Sequence, residues 1–296
     1  MQTPPKIAGS IAAQLFRKDV PWYVRQVPPL QPEMRDLLVE YAKIQPDEVD
    51  KHVAAVRDEA WNVAPFPCVG SFLFAELALS TFPGYGGLVE RLKDGERYLE
   101  VGCGLGQDVR KLLHSGVPAS SLHATDLLPG LISAGHALFR DAASTAPLFF
   151  AADFLNASDD TPLARLAASI DVVHASMFLH CFDLPTQHRA LARVVGLLKP
   201  RAGSTVVGRQ GGVARGAGPR EEAVRGPMGE LGGVRRTNYL HDEGSFREMW
   251  TAVGETTGSK WSVHVETEEV EEGDRGRLYF GAGEHRWLRF EVVRVE

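Results

Sequence analysis

The segment Tyr98-Leu-Glu-Val-Gly102-Cys-Gly104-Leu-Gly106-Gln-Asp108 decides the fold of this 296-residue chain. It begins as a short, mostly apolar run typical of a buried strand, and three glycines at every second position follow. A helical pattern then begins at Asp108. Glycine is needed where the backbone turns sharply or where a ligand approaches closely, and the amide groups at the start of the next helix favour negative charge. The segment therefore predicts a strand, a ligand-binding turn and a helix in succession.

The spacing of these glycines disfavours a dinucleotide-binding loop, which requires Gly-x-Gly-x-x-Gly. Counting from Gly102 places the third glycine at position 107, which is glutamine. Counting from Gly104 places it at position 109, which is valine. A nicotinamide-dependent oxidoreductase would share the sheet edge but not this spacing, so it is the weaker alternative.

Glu100 stands two residues before the first glycine. A carboxylate at this position is badly placed for a pyrophosphate but well placed for a cation. S-adenosylmethionine carries an ammonium group and a sulfonium. We therefore expect Glu100 and the turn formed by Gly102, Gly104 and Gly106 to hold the methionine half of that cofactor.

Two more acids follow the next two strand-like runs. Thr125-Asp126-Leu127 ends the first run, and a carboxylate there can accept hydrogen bonds from both ribose hydroxyls. Ala152-Asp153-Phe154 ends the second run, where Asp153 can accept from the adenine amino group and Phe154 can lie against the ring. Open α/β sheets bind ligands at the carboxyl ends of their strands. S-adenosylmethionine is therefore the predicted cofactor, with these residues at its nucleoside half.

Short apolar runs alternate with helical stretches through the centre of the chain, which predicts a parallel sheet with right-handed crossovers. Two strands after residue 260 complete a seven-stranded, mostly parallel α/β sheet with helices on both faces. Residues 1–90 are predicted to form a helical N-terminal cap that is not independent, including a helix from Ser71 to Ser80. Residues 91–296 form the predicted cofactor-binding domain. Within it, the glycine- and arginine-rich stretch 208–236 predicts a flexible surface insertion, with a substrate flap as the alternative.

Composition excludes several classes of protein. The net charge of −6 disfavours a nucleic-acid binder, because such a protein needs a basic surface. Three separated cysteines without Cys-x-x-Cys spacing predict no disulfide framework. Since there is also no His-Glu-x-x-His or clustered carboxylate motif, we expect no metal site. No run of about 18 apolar residues occurs, so we expect no membrane span and a cytoplasmic location.

The chain resembles the class I S-adenosylmethionine-dependent methyltransferases, and more narrowly the fungal methyltransferases of meroterpenoid and polyketide biosynthesis. The resemblance covers most of the chain and implies a Rossmann-like fold with methyl transfer to a carboxyl or hydroxyl oxygen of a small secondary metabolite. Besides the glycine turn, it rests on Arg57-Asp-Glu-Ala-Trp61, Phe66-Pro-Cys-Val-Gly70, Phe178-Leu-His-Cys-Phe182, Gly203-Ser-Thr-Val-Val-Gly-Arg-Gln210 and Thr257-Gly-Ser-Lys-Trp261.

The fourth predicted strand leads into Ser176-Met-Phe-Leu-His180. In class I folds this strand end lies under the sulfonium and faces the acceptor, so the resemblance places Ser176 beside the cofactor. His180 is the candidate catalytic residue, as a general base toward a phenol or alcohol. The alternative is a helix-capping or core histidine. A carboxylate acceptor is ionised at neutral pH and needs no base.

Four aromatic residues, Trp22, Tyr23, Trp61 and Phe66, are the candidate roof of an apolar acceptor pocket, with ordinary packing as the alternative. A non-catalytic S-adenosylmethionine-binding partner subunit is the second alternative to an enzyme. The sequence leaves open whether the chain is a monomer or a homodimer.

Overall fold

The computed structural model describes residues 16–156, 161–223, 237–270 and 285–296. The helices before the sheet are α1 (Pro32–Asp36), continued by a π-helical turn (Leu37–Tyr41), α2 (Val49–Val63), α3 (Pro67–Gly70) and α4 (Tyr85–Lys93). The later helices are α5 (Gln107–His114), α6 (Pro129–Phe139), α7 (Ala142–Thr145), α8 (Leu184–Leu197) and α9 (Glu243–Thr257). Short 3-10 turns include Leu73–Ala75, Leu79–Thr81 and Leu179–Cys181.

The strands form two sheets. They are β1 (Tyr98–Val101), β2 (Leu122–Asp126), β3 (Phe149–Ala151), β4 (Val172–His174), β5 (Thr205–Val213), β6 (Arg220–Ala223), β7 (Thr237–Leu240), β8 (Trp261–Glu269) and β9 (His285–Arg294). Seven of them pair in the order β3-β2-β1-β4-β5-β9-β8, while β6 pairs with β7. The first five strands are parallel, and β9 is antiparallel to both of its neighbours. The predicted seven-stranded, mostly parallel class I methyltransferase sheet is confirmed.

Helices pack on both faces of this sheet, as right-handed crossovers require. On one face, α8 and α9 bury Leu191 and Trp250 against strand residues such as Phe290. On the other, the N-terminal helices and α6 bury Val53 and Leu138 in one shared cluster. The N-terminal layer therefore shares a core with α6, beside the two clusters that contain the strand residues.

Local sequence explains where the two longest helices lie. In α2 the buried residues Val53, Val56 and Ala60 recur at the three- and four-residue spacing of one helix face. The side chain of Asp242 caps α9 by accepting the backbone N–H three residues on. The same helix ends at Gly258, which has the left-handed φ of +64°.

The predicted helix from Ser71 to Ser80 is wrong, because two 3-10 turns take its place. Phe72 has a φ of +65°, which interrupts any helix. The backbone N–H of Leu79 donates to the buried carboxylate of Asp108 at 3.0 Å instead of to a carbonyl four residues back. A tertiary hydrogen bond thus replaces the helical one.

Two predicted boundaries also need correction. The limit between the N-terminal cap and the sheet domain, set after residue 90, falls inside α4. The loop predicted from residue 208 is wrong for 208–213, since β5 runs to Val213, pairs with β9 along its length and is buried at all but one position. The remainder of that stretch includes β6, and residues 224–236 lie outside the described residues. In the described part of the chain, no helix has the length and apolar character needed to span a membrane.

Candidate active site

The glycine turn joins β1 to α5 at the carboxyl edge of the sheet. Gly102, Gly104 and Gly106 have φ angles of +66°, +54° and +67°, a region that other residues rarely enter. A Cβ atom on Gly106 would lie 2.5 Å from the ring of Phe149, whereas a Cβ on Gly104 would meet no described atom within 4 Å. Gly106 therefore packs the turn against the sheet, and Gly104 borders open space.

Arg110, fully buried in α5, fixes the shape of this turn. Its guanidinium donates to the carbonyl oxygens of Leu105 and Gly106 at 2.6 and 3.3 Å, and to both carboxylate oxygens of Asp141 at 2.8 and 3.0 Å. Burial alone would raise the pKa of Asp141, but its hydrogen bonds and charge interaction with Arg110 lower it. The pair is therefore ionised and holds the turn through charge-assisted hydrogen bonds.

Asp126 ends β2 and faces the same turn. Its Oδ2 accepts the backbone N–H of Gly104 at 2.8 Å, and its Oδ1 accepts that of Leu128 at 2.9 Å. Each carboxylate oxygen has a further lone pair, so the group can still accept from hydroxyl donors. Beside it, the side chain of Leu127 is 62% exposed, an unusual position for so large an apolar group. The strand end thus offers an acceptor and an apolar surface side by side.

The backbones of two other predicted residues connect the neighbouring strand ends. The carbonyl oxygen of Thr125 accepts the N–H of Cys103 at 3.0 Å, and the N–H of Ala152 donates to the carbonyl oxygen of Asp126 at 2.9 Å. These bonds set the spacing between the glycine turn and the ends of β2 and β3.

Three titratable side chains, Glu100, Asp108 and His174, lie buried together beside the turn. His174 hydrogen-bonds through one ring nitrogen to the Tyr98 hydroxyl at 2.8 Å and through the other to the Ser176 hydroxyl at 2.6 Å. With both nitrogens engaged it has no lone pair for a metal ion. Burial lowers the pKa of His174 to about 3, raises that of Asp108 to about 7, and raises that of Glu100 well above its ordinary value.

Two buried acceptors near the turn have no hydrogen-bond partner among the described residues. They are Oε2 of Glu100 and Oε1 of Gln107, and both residues line a cavity of about 100 Å³ beside Gly104. An unpaired buried acceptor is costly unless a ligand satisfies it. An ammonium group is such a ligand, so these residues fit the amino end of S-adenosylmethionine.

The same cavity extends from Gly102 and Gly104 past Ser176 to the N-terminal layer. Sequence reasoning found these three lining residues but missed several others: Leu73, Phe74, Glu76, Met177, Arg209 and Trp287. The first three fall in the segment wrongly predicted as helix, and Arg209 falls in the stretch wrongly predicted as loop. Met177 and Arg209 stand inside motifs quoted above, and that position was the only signal for them.

Two residues predicted at the adenine are engaged elsewhere. Asp153 accepts the backbone N–H groups of Leu155 and Asn156 at 3.0 and 3.2 Å, closing a local turn. The ring of Phe154 is buried in the core, with its centre 5.4 Å from that of Phe178. Neither residue lines the cavity.

The four residues predicted as the aromatic roof of an acceptor pocket pack within the N-terminal layer. Tyr23 and Trp61 are buried and pack edge to face, with ring centres 4.9 Å apart, in the core of the N-terminal layer. Trp22 and Phe66 are partly buried against the same cluster. None of the four lines the cavity described above, because the N-terminal layer needs them for its own packing.

His180 lies in the 3-10 turn after β4, and it is not among the described residues that line the cavity. Its Nδ1 accepts the backbone N–H of Gly211 at 3.0 Å, which ties this turn to β5. Burial lowers the pKa of His180 to about 4. The histidine is therefore neutral at pH 7.

The chain matches two families and several fungal proteins. Residues 22–75 match the "Meroterpenoid methyltransferase N-terminal domain", and residues 99–203 match the "Methyltransferase domain". The chain is 38% identical to the O-methyltransferase atr3 of Stereocaulon alpinum, over 94% of this chain and 77% of that protein. It is 36% identical to the O-methyltransferase phiE of a fungal species, over 88% and 84%. It is 32% identical to the asnovolin E/chermesin D methyltransferase nvfJ of Aspergillus novofumigatus, over 88% of each chain.

Proposed function

The chain belongs to the S-adenosylmethionine-dependent methyltransferases, in the fungal group that these relatives represent, and from this premise we propose that it methylates a carboxylate oxygen of a small secondary metabolite. Two of the relatives are named O-methyltransferases, which supports an oxygen acceptor. The observation that favours a carboxylate over a hydroxyl is the hydrogen bonding of His180.

His180 is unsuited to act as a general base. Because its Nδ1 accepts the N–H of Gly211, a neutral ring carries its proton on Nε2 and has no lone pair available. Its lowered pKa also makes the ring a weak base. A phenol or alcohol must lose a proton during methylation, whereas a carboxylate has already lost it at neutral pH.

Two acids at the cavity are also engaged. Glu76 forms an ion pair with Arg209, with 3.7 Å between the nearest atoms. Asp108 is 1% exposed, and its Oδ1 accepts the N–H of Leu79. A carboxylate acceptor is already ionised, so its methylation requires none of these groups to act as a base.

The cofactor assignment follows the geometry of the strand ends. Glu100 and the turn at Gly102, Gly104 and Gly106 would hold the methionine half. Asp126 would accept from the ribose hydroxyls, and Leu127 would cover one face of the adenine. When bound, S-adenosylmethionine supplies a methyl group on a positively charged sulfur, which is already an activated leaving group.

Phe154 has no part in this proposal, because its ring is buried in the core. Asp153 is exposed and, like Asp126, keeps lone pairs beside its local hydrogen bonds, so it would accept from the adenine amino group. Ser176 has a positioning role. Its hydroxyl hydrogen-bonds to His174 at 2.6 Å and accepts the backbone N–H of Arg209 at 3.0 Å, so it ties the end of β4 to that of β5. Catalysis then depends on holding the acceptor oxygen in line with the methyl group and on excluding water.

The function is tested by incubating the full chain with S-adenosylmethionine and the acidic fraction of a fungal extract, with mass spectrometry of the products. We expect a product heavier by one methylene that reverts to the acid on mild alkaline hydrolysis, and no such product when the cofactor is omitted. A product stable to alkali would be a methyl ether and would overturn the carboxylate. If neither the acidic nor the neutral fraction gives a methylated product, a small secondary metabolite is not the acceptor.

A cytoplasmic location and the choice between a monomer and a homodimer stay predictions. So does the expectation that the chain binds no nucleic acid, which rests on its net charge of −6.

A further inference from the structure

Arg209 is the one partly exposed residue of β5, all of whose other positions are buried. Its backbone is locked to the segment after β4, since its N–H donates to the Ser176 hydroxyl at 3.0 Å and its carbonyl accepts the N–H of Met177 at 2.7 Å. The backbone of Arg209 is therefore held beside the end of β4, the strand end that we expect to face the acceptor.

The guanidinium of Arg209 lies over an aromatic ring. Its guanidinium carbon lies 4.1 Å from the ring centre of Trp287, which is 5% exposed and diagonal to it across the β5–β9 pair. This cation–π contact restrains the guanidinium, whose planar fork of N–H donors matches the geometry of a carboxylate. A guanidinium can recognise a carboxylate with two parallel hydrogen bonds.

Among the described charged residues that line the cavity, Arg209 is the one that favours an anionic ligand. Among the described residues that line it, Arg209 is the single basic side chain, against the acids Glu76, Glu100 and Asp108. Glu100 and Asp108 lie beside the glycine turn, where burial raises both pKa values, although the charge of Arg209 lowers that of Asp108 in part. Glu76 comes from the N-terminal layer and forms an ion pair with Arg209, with 3.7 Å between Oε2 and the guanidinium nitrogen.

We propose that Arg209 is a specificity-determining residue that binds the carboxylate of the methyl acceptor, with Trp287 orienting it and Glu76 as the counter-ion that the acceptor replaces. The inference rests on the proposed function and deepens it. Leu73, Phe74 and Met177, which line the same cavity, give the apolar part of the acceptor a surface.

The reaction also favours release of the product from Arg209. One carboxylate oxygen attacks the methyl carbon, the carbon–sulfur bond breaks, and its electron pair stays on sulfur to give S-adenosylhomocysteine. The acceptor becomes a neutral ester, and no proton is transferred. The charge pair with Arg209 is thereby lost, so the product binds more weakly than the substrate.

Binding of benzoate and of its neutral analogue benzamide to the S-adenosylhomocysteine complex tests this inference, with titration followed by NMR. We expect the parent to bind benzoate at least ten times more tightly than benzamide. Arg209→Gln is expected to lose that preference, and Arg209→Lys to keep only part of it. All should bind S-adenosylhomocysteine within about twofold of the parent, which shows that the fold is intact.

Arg289→Gln is the matched control. Arg289 lies opposite Arg209 in the β5–β9 pair but donates to the carbonyl oxygen of Thr81 and pairs with Glu268, away from this cavity. It is expected to retain the full preference for benzoate. A parent without the preference, or an Arg209→Gln variant that retains it, would overturn the inference.

Methyl transfer separates this inference from the proposed function. If alkali-labile esters form and Arg209→Gln has the same kcat/KM as Arg289→Gln, only the role of Arg209 fails. If the products are ethers, the proposed methylation of a carboxylate is itself wrong. The expected result is ester formation, with kcat/KM lowered at least 100-fold in Arg209→Gln and mainly through KM.

Discussion

Replacing Gly104 by alanine separates the needs of the fold from those of the cofactor. A Cβ atom at this position would meet no described atom within 4 Å, so the folded chain has room for it. The added methyl would instead project into the cavity lined by Glu100 and Gln107. We therefore expect Gly104→Ala to fold and to lose S-adenosylhomocysteine binding.

The expected cost to stability comes from backbone conformation alone. Gly104 has a φ of +54°, and alanine in this region costs about 1–2 kcal/mol. Gly258, which ends α9, has a φ of +64° and also has no described atom within 4 Å of its would-be Cβ. Gly258→Ala is therefore a matched control, and both variants should lower Tm by about 2–5 °C.

Calorimetric titration with S-adenosylhomocysteine then distinguishes the two variants. Gly258→Ala should bind like the parent, whereas Gly104→Ala should bind at least about tenfold more weakly, a loss of about 1.4 kcal/mol or more. Parent-like affinity in Gly104→Ala at the expected Tm would refute the placement of the methionine half over this glycine. Parent-like Tm in both variants would refute the strain argument.

Four other substitutions test the surrounding residues. Asp126→Ala should weaken S-adenosylhomocysteine binding by about 2 kcal/mol through lost charge-assisted hydrogen bonds; unchanged affinity by calorimetry would contradict its ribose role. Binding should release a proton, because the ligand ammonium lowers the raised pKa of Glu100. The affinity of the parent should therefore rise with pH, and Glu100→Gln should abolish this rise. Calorimetric titration in two buffers measures the proton release. His180→Gln should keep kcat within about threefold of the parent, and kcat of the parent should not change from about pH 6 to 8. A 100-fold loss of kcat at unchanged Tm would instead show that His180 acts as a general base. Asp141→Asn should lower the free energy of unfolding by about 3 kcal/mol by leaving Arg110 unpaired. Since the pKa of Asp141 is lowered, its stabilisation is present above its unfolded pKa and lost as pH falls through the folded one, which acid titration of the parent checks.

The sheet was predictable because its signals are local. Each strand near Glu100 or Asp126 is a short apolar run next to a turn residue or an acid, and the spacing of the glycines is enough to identify the ligand-binding edge of the sheet. The helix wrongly predicted from Ser71 to Ser80 shows where such signals end. Its conformation depends on Asp108, nearly 30 residues away, whose carboxylate takes the N–H of Leu79, and no local periodicity contains that information.

The acceptor side of the site was less predictable for a related reason. Trp61 and Tyr23 are aromatic residues in a plausible pocket motif, yet the N-terminal layer buries them for its own stability. Arg209 occurs in a stretch whose glycine content predicts a loop, and only the pairing of β5 with β9 reveals its place beside Trp287. Contacts between residues far apart in the sequence decided both cases.

The buried acids connect the stability of the free protein with binding of the cofactor. Glu100 and Asp108 lie together in the interior, where burial raises the pKa of Asp108 to about 7 and that of Glu100 well above its ordinary value. Ionising Glu100 in this interior is costly, so a bound ammonium would favour loss of a proton from Glu100. A hydrophobic residue in place of Glu100 would remove this cost of ionisation, but it would also remove the negative charge that binds the cation. The same argument explains why Oε2 of Glu100 has no partner among the described residues, since the group that satisfies it is the proposed ligand and not the fold.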